Sequence, residues 1–227
     1  MEKVMDTSAA RRNILARIRA ASGRAAQPEP AELEAAADYL ARHPAGPRPP
    51  MPADAAGLIA RFIDEARAMA TTVEEVATLA DAPAAALRYL NANGLPTRAV
   101  AWRTLEALAW AEADIAVEFR APRDSDLVGI TGCFCATAET GSLVLLSGPG
   151  TEVSAALLPE THIAVVPASR IVAAHEEAFA LMRAEHGELP RAVNFVSGPS
   201  RTGDIEQTIV LGAHGPYRVH AIVVLGA

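Results

Sequence analysis

A chain of 227 residues, 51% hydrophobic and 21% charged, holds enough apolar material for one large core and too much for wholesale disorder. A net charge of −7 excludes a chain-wide basic face for nucleic acid, and no apolar run approaches the ~20 residues of a membrane span. Aromatic residues make up only 4%, so Ala, Val, Leu and Ile have to fill the core.

The stretch from Met1 to Arg24 is arginine-rich but has no continuous apolar segment, which argues against a secretory signal and for a cytoplasmic chain. It predicts a helix from about Ser8 to Ala21, with Ser8 as N-cap and Ile14, Leu15 and Ile18 opposite Arg12, Arg17 and Arg19. Prolines then crowd Gln27 to Pro52, interrupted by an amphipathic stretch from Glu32 to Leu40. This reads as a flexible or wrapping arm and divides the chain into an extension, 1–52, and a domain, 53–227. Asp54 is placed to cap a helix carrying Leu58, Ile59, Phe62, Ile63 and Ala66 at helical spacing. A strand at Thr71 to Val76 follows, then a helix from Pro83 to Asn93 closed by Gly94. Strands at Arg98 to Trp102 and Asp114 to Phe119 flank a helix at Thr104 to Ala111.

In the second half, Val128 to Ala138 and Ser142 to Leu146 read as strands around the turn Glu139-Thr140-Gly141. A helical stretch at Thr151 to Leu158 precedes a buried strand at Thr161 to Val166. A helix from Val172 to Glu185 stops near Gly187, and strands at Ala192 to Val196 and Val219 to Leu225 complete the set. Such alternation predicts an α/β domain with a mainly parallel, twisted sheet covered on both faces. The 128–146 hairpin adds an antiparallel element and makes the sheet mixed.

Chemistry in this class gathers in loops at the carboxyl ends of strands. In Ala138-Glu139-Thr140-Gly141-Ser142 the Glu139 carboxylate has the chemistry of a nucleophile or general base, with Gly141 permitting close backbone approach; a turn glutamate facing water is the simpler reading. Ser147-Gly148-Pro149-Gly150 offers small residues and free backbone N–H groups to an anion, without the lysine of a P-loop. Ser197-Gly198-Pro199-Ser200-Arg201 brings hydroxyls, amides and a guanidinium together, and Asp204 with Gln207 three residues on reads as a helix start. A ligand site and a structural turn both fit that segment. His214, between Gly212 and Pro216, is either an acid–base or ligand group or a surface-loop histidine. Cys133 and Cys135 fall two apart, on one face if the strand is continuous, and read as small hydrophobes rather than a redox pair. No metal-ligand spacing emerges among the histidines.

The ordered strings Gly129-Ile130-Thr131-Gly132, Ala138 to Leu145, Ser147 to Gly150, His162 to Pro167, Ser197 to Ser200 through Asp204-Ile205-Glu206, and Gly212 to Pro216 resemble the LutC/YkgG family, the single-domain branch of the LUD (lactate utilisation) domain. The resemblance implies a Rossmann-like layered mixed sheet of the NagB/RpiA/CoA-transferase-like type behind an N-terminal helical extension. It also implies a role beside iron–sulfur oxidoreductase subunits in oxidising L-lactate to pyruvate, with the clusters on those partners and no cofactor on this chain. The candidate set is Glu139 and His214 for catalysis, with Thr140, Gly141, Ser147, Gly148, Ser197, Gly198, Ser200, Arg201 and Asp204 for a small carboxylate ligand. Glu139-Thr140-Gly141 is also similar to the Glu-x-Gly turn whose glutamate is the nucleophile of CoA transferases. That implies the alternative of an independent enzyme for a carboxylate, a CoA ester or a phosphorylated metabolite. A third reading makes the proline-rich arm a partner-binding segment.

Overall fold

The computed structural model describes residues 7–25, 27–205 and 208–227. The chain separates into two units, Met1–Arg48 and Pro49–Ala227. The first holds two helices, α1 (Ser8–Ala21) and α2 (Pro30–Arg42). Thr7 rather than Ser8 takes the N-cap position of α1; Pro30 opens α2, and Glu32 accepts a hydrogen bond from the Glu29 backbone N–H at 3.2 Å. No residue of either helix is buried. Helices this short are marginal in water without a packed face.

The second unit runs α3 (Ala55–Ala68), β1 (Thr72–Val76), α4 (Ala82–Ala92), β2 (Arg98–Ala101), β3 (Ala116–Glu118), β4 (Val128–Thr131), β5 (Cys135–Thr137), β6 (Ser142–Leu146), α5 (Ser154–Leu157), β7 (Thr161–Pro167), β8 (Ile171–Val172), α6 (His175–His186), β9 (Val193–Val196), β10 (Arg201–Ile205), β11 (Thr208–Leu211) and β12 (Arg218–Val224). Asp54 caps α3 as its sequence predicts, its Oδ1 accepting from the Gly57 N–H at 2.8 Å. Six parallel strands form the central sheet in the order β1-β12-β7-β4-β2-β3. Its middle strands, β7 and β12, are near-continuous apolar runs because both of their faces are covered.

On one face lies α4, whose Ala86, Tyr89 and Leu90 pack against Ile130, Ile163, Val165 and Ile222. On the other lie α3 and a second, four-stranded sheet in the order β8-β5-β6-β9. The second sheet alternates cleanly: Ala136 and Leu143 join Phe62, Val166 and Ala221 between the sheets, whereas Cys135 and Val144 face Ala178 and Met182 of α6. The protein is thus a layered α/β fold with a parallel central sheet, and its mixed character resides in the second sheet, where β5 pairs antiparallel with β6 and parallel with β8.

Three local expectations give way to tertiary structure. The strand foreseen from Val128 to Ala138 is two strands in different sheets, broken at Gly132–Phe134, so Cys133 and Cys135 pack into different clusters. The helix foreseen at Thr104 to Ala111 is one 3-10 turn, Arg103–Leu105, followed by turns. There Leu105 and Trp110 are both buried in one cluster, with the indole N–H donating to the Leu105 carbonyl at 2.8 Å. Residues five apart on an α-helix point about 140° apart and cannot do this. The helix start at Asp204 is the end of β10, paired with β11 (Thr202↔Val210, Ile205↔Thr208); Gln207 lies outside the described residues.

Two histidines sit inside the core. His162 Nε2 is 2.8 Å from the Thr131 hydroxyl, and His220 Nδ1 is 2.9 Å from that of Thr72, with its ring stacked on Tyr89 at 4.1 Å. Each ring leaves one nitrogen without a partner among the described residues, and burial drives both pKa values down to about 4. Both are therefore neutral in the folded chain, while the unfolded chain takes up protons near pH 6.5. Stability falls as pH drops from about 6.5 towards 4, by about 3 kcal/mol per histidine at full extent. Urea unfolding at pH 7.5 and pH 5.0, where most carboxylates stay ionised, should show a clearly lower midpoint at pH 5.0. Equal midpoints would contradict the neutral burial of these rings.

Candidate functional site

The sequence-predicted residues fall at opposite ends of the β5–β6 hairpin, which at about 3.4 Å per residue along β6 puts roughly 17 Å between them.

At the turn end, four hydroxyls form an unbranched chain. Thr137 Oγ1 lies 3.0 Å from Thr140 Oγ1, which lies 2.6 Å from Ser142 Oγ, which lies 2.5 Å from Ser197 Oγ. The chain runs from buried Thr137 to exposed Ser197 and ties the turn to the loop after β9. Gly141 (φ +61°) and Gly198 (φ +75°) both press on the C-terminal end of α3. A Cβ at Gly141 would come within 2.2 Å of the Ala66 nitrogen, and one at Gly198 within 2.0 Å of the Met69 carbonyl oxygen. Arg201 donates to that same Met69 carbonyl at 3.2 Å, a cation on the negative end of a helix. Ser200 holds the neighbouring loop: its N–H donates to the Pro216 carbonyl at 2.9 Å, and its hydroxyl accepts from the His214 N–H at 3.3 Å. The His214 ring is exposed. Glu139 donates its N–H to the Ala173 carbonyl, and among the described residues its carboxylate has no ion pair or hydrogen bond. Of Asp204 only the backbone, in β10, is described.

This arrangement brings together Thr140, Gly141, Ser197, Gly198 and Arg201 around one helix end, with Ser200 and His214 tied to each other. Three contacts among four hydroxyls use three hydrogens, so the donor–acceptor direction of the chain can reverse by concerted rotation. No histidine or carboxylate is hydrogen-bonded to any of these four hydroxyls among the described residues, so a nucleophile–base pair is not formed.

At the other end, Ser147 and Gly148 line a cavity of about 500 Å³ that opens at the carboxyl ends of β2 and β4. Trp102 continues β2, while Gly132, Cys133 and Phe134 continue β4. Within the central sheet the strand that follows β2 is β3, on its outer side, and the one that follows β4, by way of the second sheet, is β7, on its inner side, so the cavity sits where successive connections diverge. Trp102 is fixed by its N–H to the Ile130 carbonyl at 3.1 Å and its indole N–H to the Glu152 carbonyl at 2.9 Å. Arg170 fixes the turn between the sheets: it donates to the Phe134 carbonyl at 2.8 Å, covers the Phe134 ring at 4.7 Å, and forks onto Glu185 at 2.6 and 3.0 Å. The hydrogen bonds from Arg170 hold the Glu185 carboxyl below its usual range. Burial raises the thiol pKa of Cys133 and pushes that of Cys135 up to about 12, so both remain protonated and poorly nucleophilic at neutral pH.

The LUD domain family model matches residues 59–224. The chain belongs to the LUD domain family. Over 99 residues it is 43% identical to a "Lactate utilization protein C" of Shouchella clausii, covering 43% of each chain. Over 100 residues it is 44% identical to one of Halalkalibacterium halodurans, covering 43% of this chain and 44% of that one. The matched stretches thus span under half of these relatives. A crystal structure of a DUF162 family protein from Deinococcus radiodurans shares the fold with a TM-score of 0.56 at 23% identity, covering 77% of this chain and all of that one.

Trp102, Gly132, Cys133, Phe134 and His186 line the LUD cavity without having been singled out from sequence as site residues. The available signal was the position of Trp102 and Gly132 at the ends of apolar strands.

Gly141→Ala and Gly198→Ala should each cost more than about 2 kcal/mol in urea unfolding, since positive φ and backbone overlap act together. Glu139→Gln, at a carboxylate without a partner, should stay within about 0.5 kcal/mol of wild type. A tolerated alanine at either glycine would contradict the packing of these turns on α3.

Proposed function

We propose that this LUD-domain chain is a component, without a redox centre of its own, of a cytoplasmic system that oxidises L-lactate to pyruvate beside iron–sulfur oxidoreductase subunits. The likeness to proteins named Lactate utilization protein C carries this reading. The chemistry of the chain supports the division of labour. Taking two electrons from lactate needs an acceptor, and an iron–sulfur cluster needs about four thiolates. The sequence has two cysteines, both held as neutral thiols and packed into separate clusters. The clusters therefore belong to the partner subunits in this reading.

A stand-alone carboxylate or CoA-ester enzyme built on Glu139 draws less support. The guanidinium that would receive an anion, Arg201, is engaged by the Met69 carbonyl at the end of α3, where the helix dipole disfavours negative charge. Gly141 is accounted for by its contact with α3.

Pull-down of the tagged full chain from its native cell, with iron and acid-labile sulfide analysis, should recover cysteine-rich partners carrying both. The purified chain alone should give no lactate-dependent dye reduction. Robust lactate turnover by the isolated chain would overturn the proposal, and so would capture of partners free of iron and sulfide.

A further inference from the structure

The cavity at the carboxyl ends of β2 and β4 has a lining that specifies the chemistry of its ligand. We propose that it holds the planar, uncharged ring system of a small molecule, two or three fused rings in size.

The charge of the wall decides between ligand classes. Apart from His186 and the protonated thiol of Cys133, no ionisable side chain among the described residues lines the cavity, so an anion such as a phosphate or carboxylate would give up hydration there for little counter-charge. The glycine-rich loop supplies neutral donors but no counter-charge: its Thr151 hydroxyl is spent on the Leu146 carbonyl at 3.1 Å, while its Ser147 hydroxyl, which accepts from the Ala192 N–H at 2.9 Å, keeps one O–H to donate. The following helix, Ser154–Leu157, has only four residues and presents no sustained dipole.

The shape of the wall decides the rest. The edge of Trp102, the ring of Phe134 and the ring of His186, tilted against Phe134 at 5.5 Å, line the cavity with aromatic surface that an aromatic ring can pack against edge to face. The volume, about 500 Å³, suits a small molecule rather than a peptide.

Gly132 adds an independent observation. A Cβ there would meet only Trp102 ring atoms, at 3.8 Å and beyond, which is ordinary contact, and its φ lies outside the left-handed region. Neither the fold nor the backbone requires glycine at this position. What a side chain would do is fill the cavity beside Trp102. Gly141 and Gly198, by contrast, are explained by the helix they touch.

The proposal does not rest on the lactate reading. It is tested on the isolated full chain, so its failure and that of the partner experiment are separate outcomes. Menadione (two fused rings) and lumichrome (three fused rings) serve as uncharged ring probes, with pyruvate and inorganic phosphate as anionic controls. In ¹⁵N-labelled chain, at least one ring probe should shift the Trp102 indole resonance saturably and leave that of Trp110, buried beneath the sheet's other face, in place. Gly132→Val, which keeps the circular dichroism spectrum and unfolding midpoint, should weaken that probe by at least about tenfold. If Gly132→Val does not fold, the wild-type resonance of Trp102 decides. The proposal fails if neither ring probe moves it, if pyruvate or phosphate moves it instead, or if folded Gly132→Val binds the ring probe unchanged.

Discussion

The architecture depends on one crossing of the backbone, where the chain leaves β4 at Gly132 and re-enters structure at Cys135 in a different sheet. Arg170 secures that crossing by donating to the Phe134 carbonyl, covering its ring, and gripping Glu185 of α6. One side chain thereby links the turn, the loop after β7 and the helix that covers the second sheet. Without the crossing, β5 would extend the central sheet's strand and the hairpin would have no second layer to build. The cavity is the space this change of direction leaves between Trp102, the crossing and the loop after β6.

A sheet packed directly on another sheet leaves little room for side chains where loops meet helices, and the chain meets that constraint with glycine. Gly141 and Gly198 both bring backbone against the last turn of α3, and the hydroxyl chain from Thr137 to Ser197 fastens the same two loops to each other. The hydroxyls at this end are mutually satisfied, which gives the group a structural account independent of any substrate.

What could be read from the sequence was local, and what escaped it was tertiary. The helix from Ala55 is announced by Asp54 and by apolar residues at helical spacing, and both signals lie within a few residues of what they specify. The split of Val128 to Ala138 between two sheets has no such mark, because an apolar run satisfies either sheet; only packing against α6 on one side and α3 on the other separates Cys135 from Ala136. Likewise Asp204 carries a helix-start pattern, yet the β-branched residues Thr208, Ile209 and Val210 pull it into a hairpin. At the candidate site, Ser147 and Gly148 were legible as a glycine-rich loop. Trp102 was not, since an indole ending a strand looks like core until its neighbours are known.

The two ends of the β5–β6 hairpin also bound what a single ligand can do. A cavity of about 500 Å³ is roughly 10 Å across if taken as a sphere, and the hydroxyl chain begins well beyond that distance, at the far end of β6. A molecule seated beside Trp102 therefore cannot touch Thr140 or Ser197. Any coupling between the ends has to run through β6 itself, whose Leu143 and Leu145 face the central-sheet side while Val144 and Leu146 face α6. Close-packed side chains on both faces make that strand a rigid spacer. The chemistry of the two ends is accordingly separable, and substitutions at Gly132, in the crossing before β5, and at Gly141, in the β5–β6 turn, probe different properties.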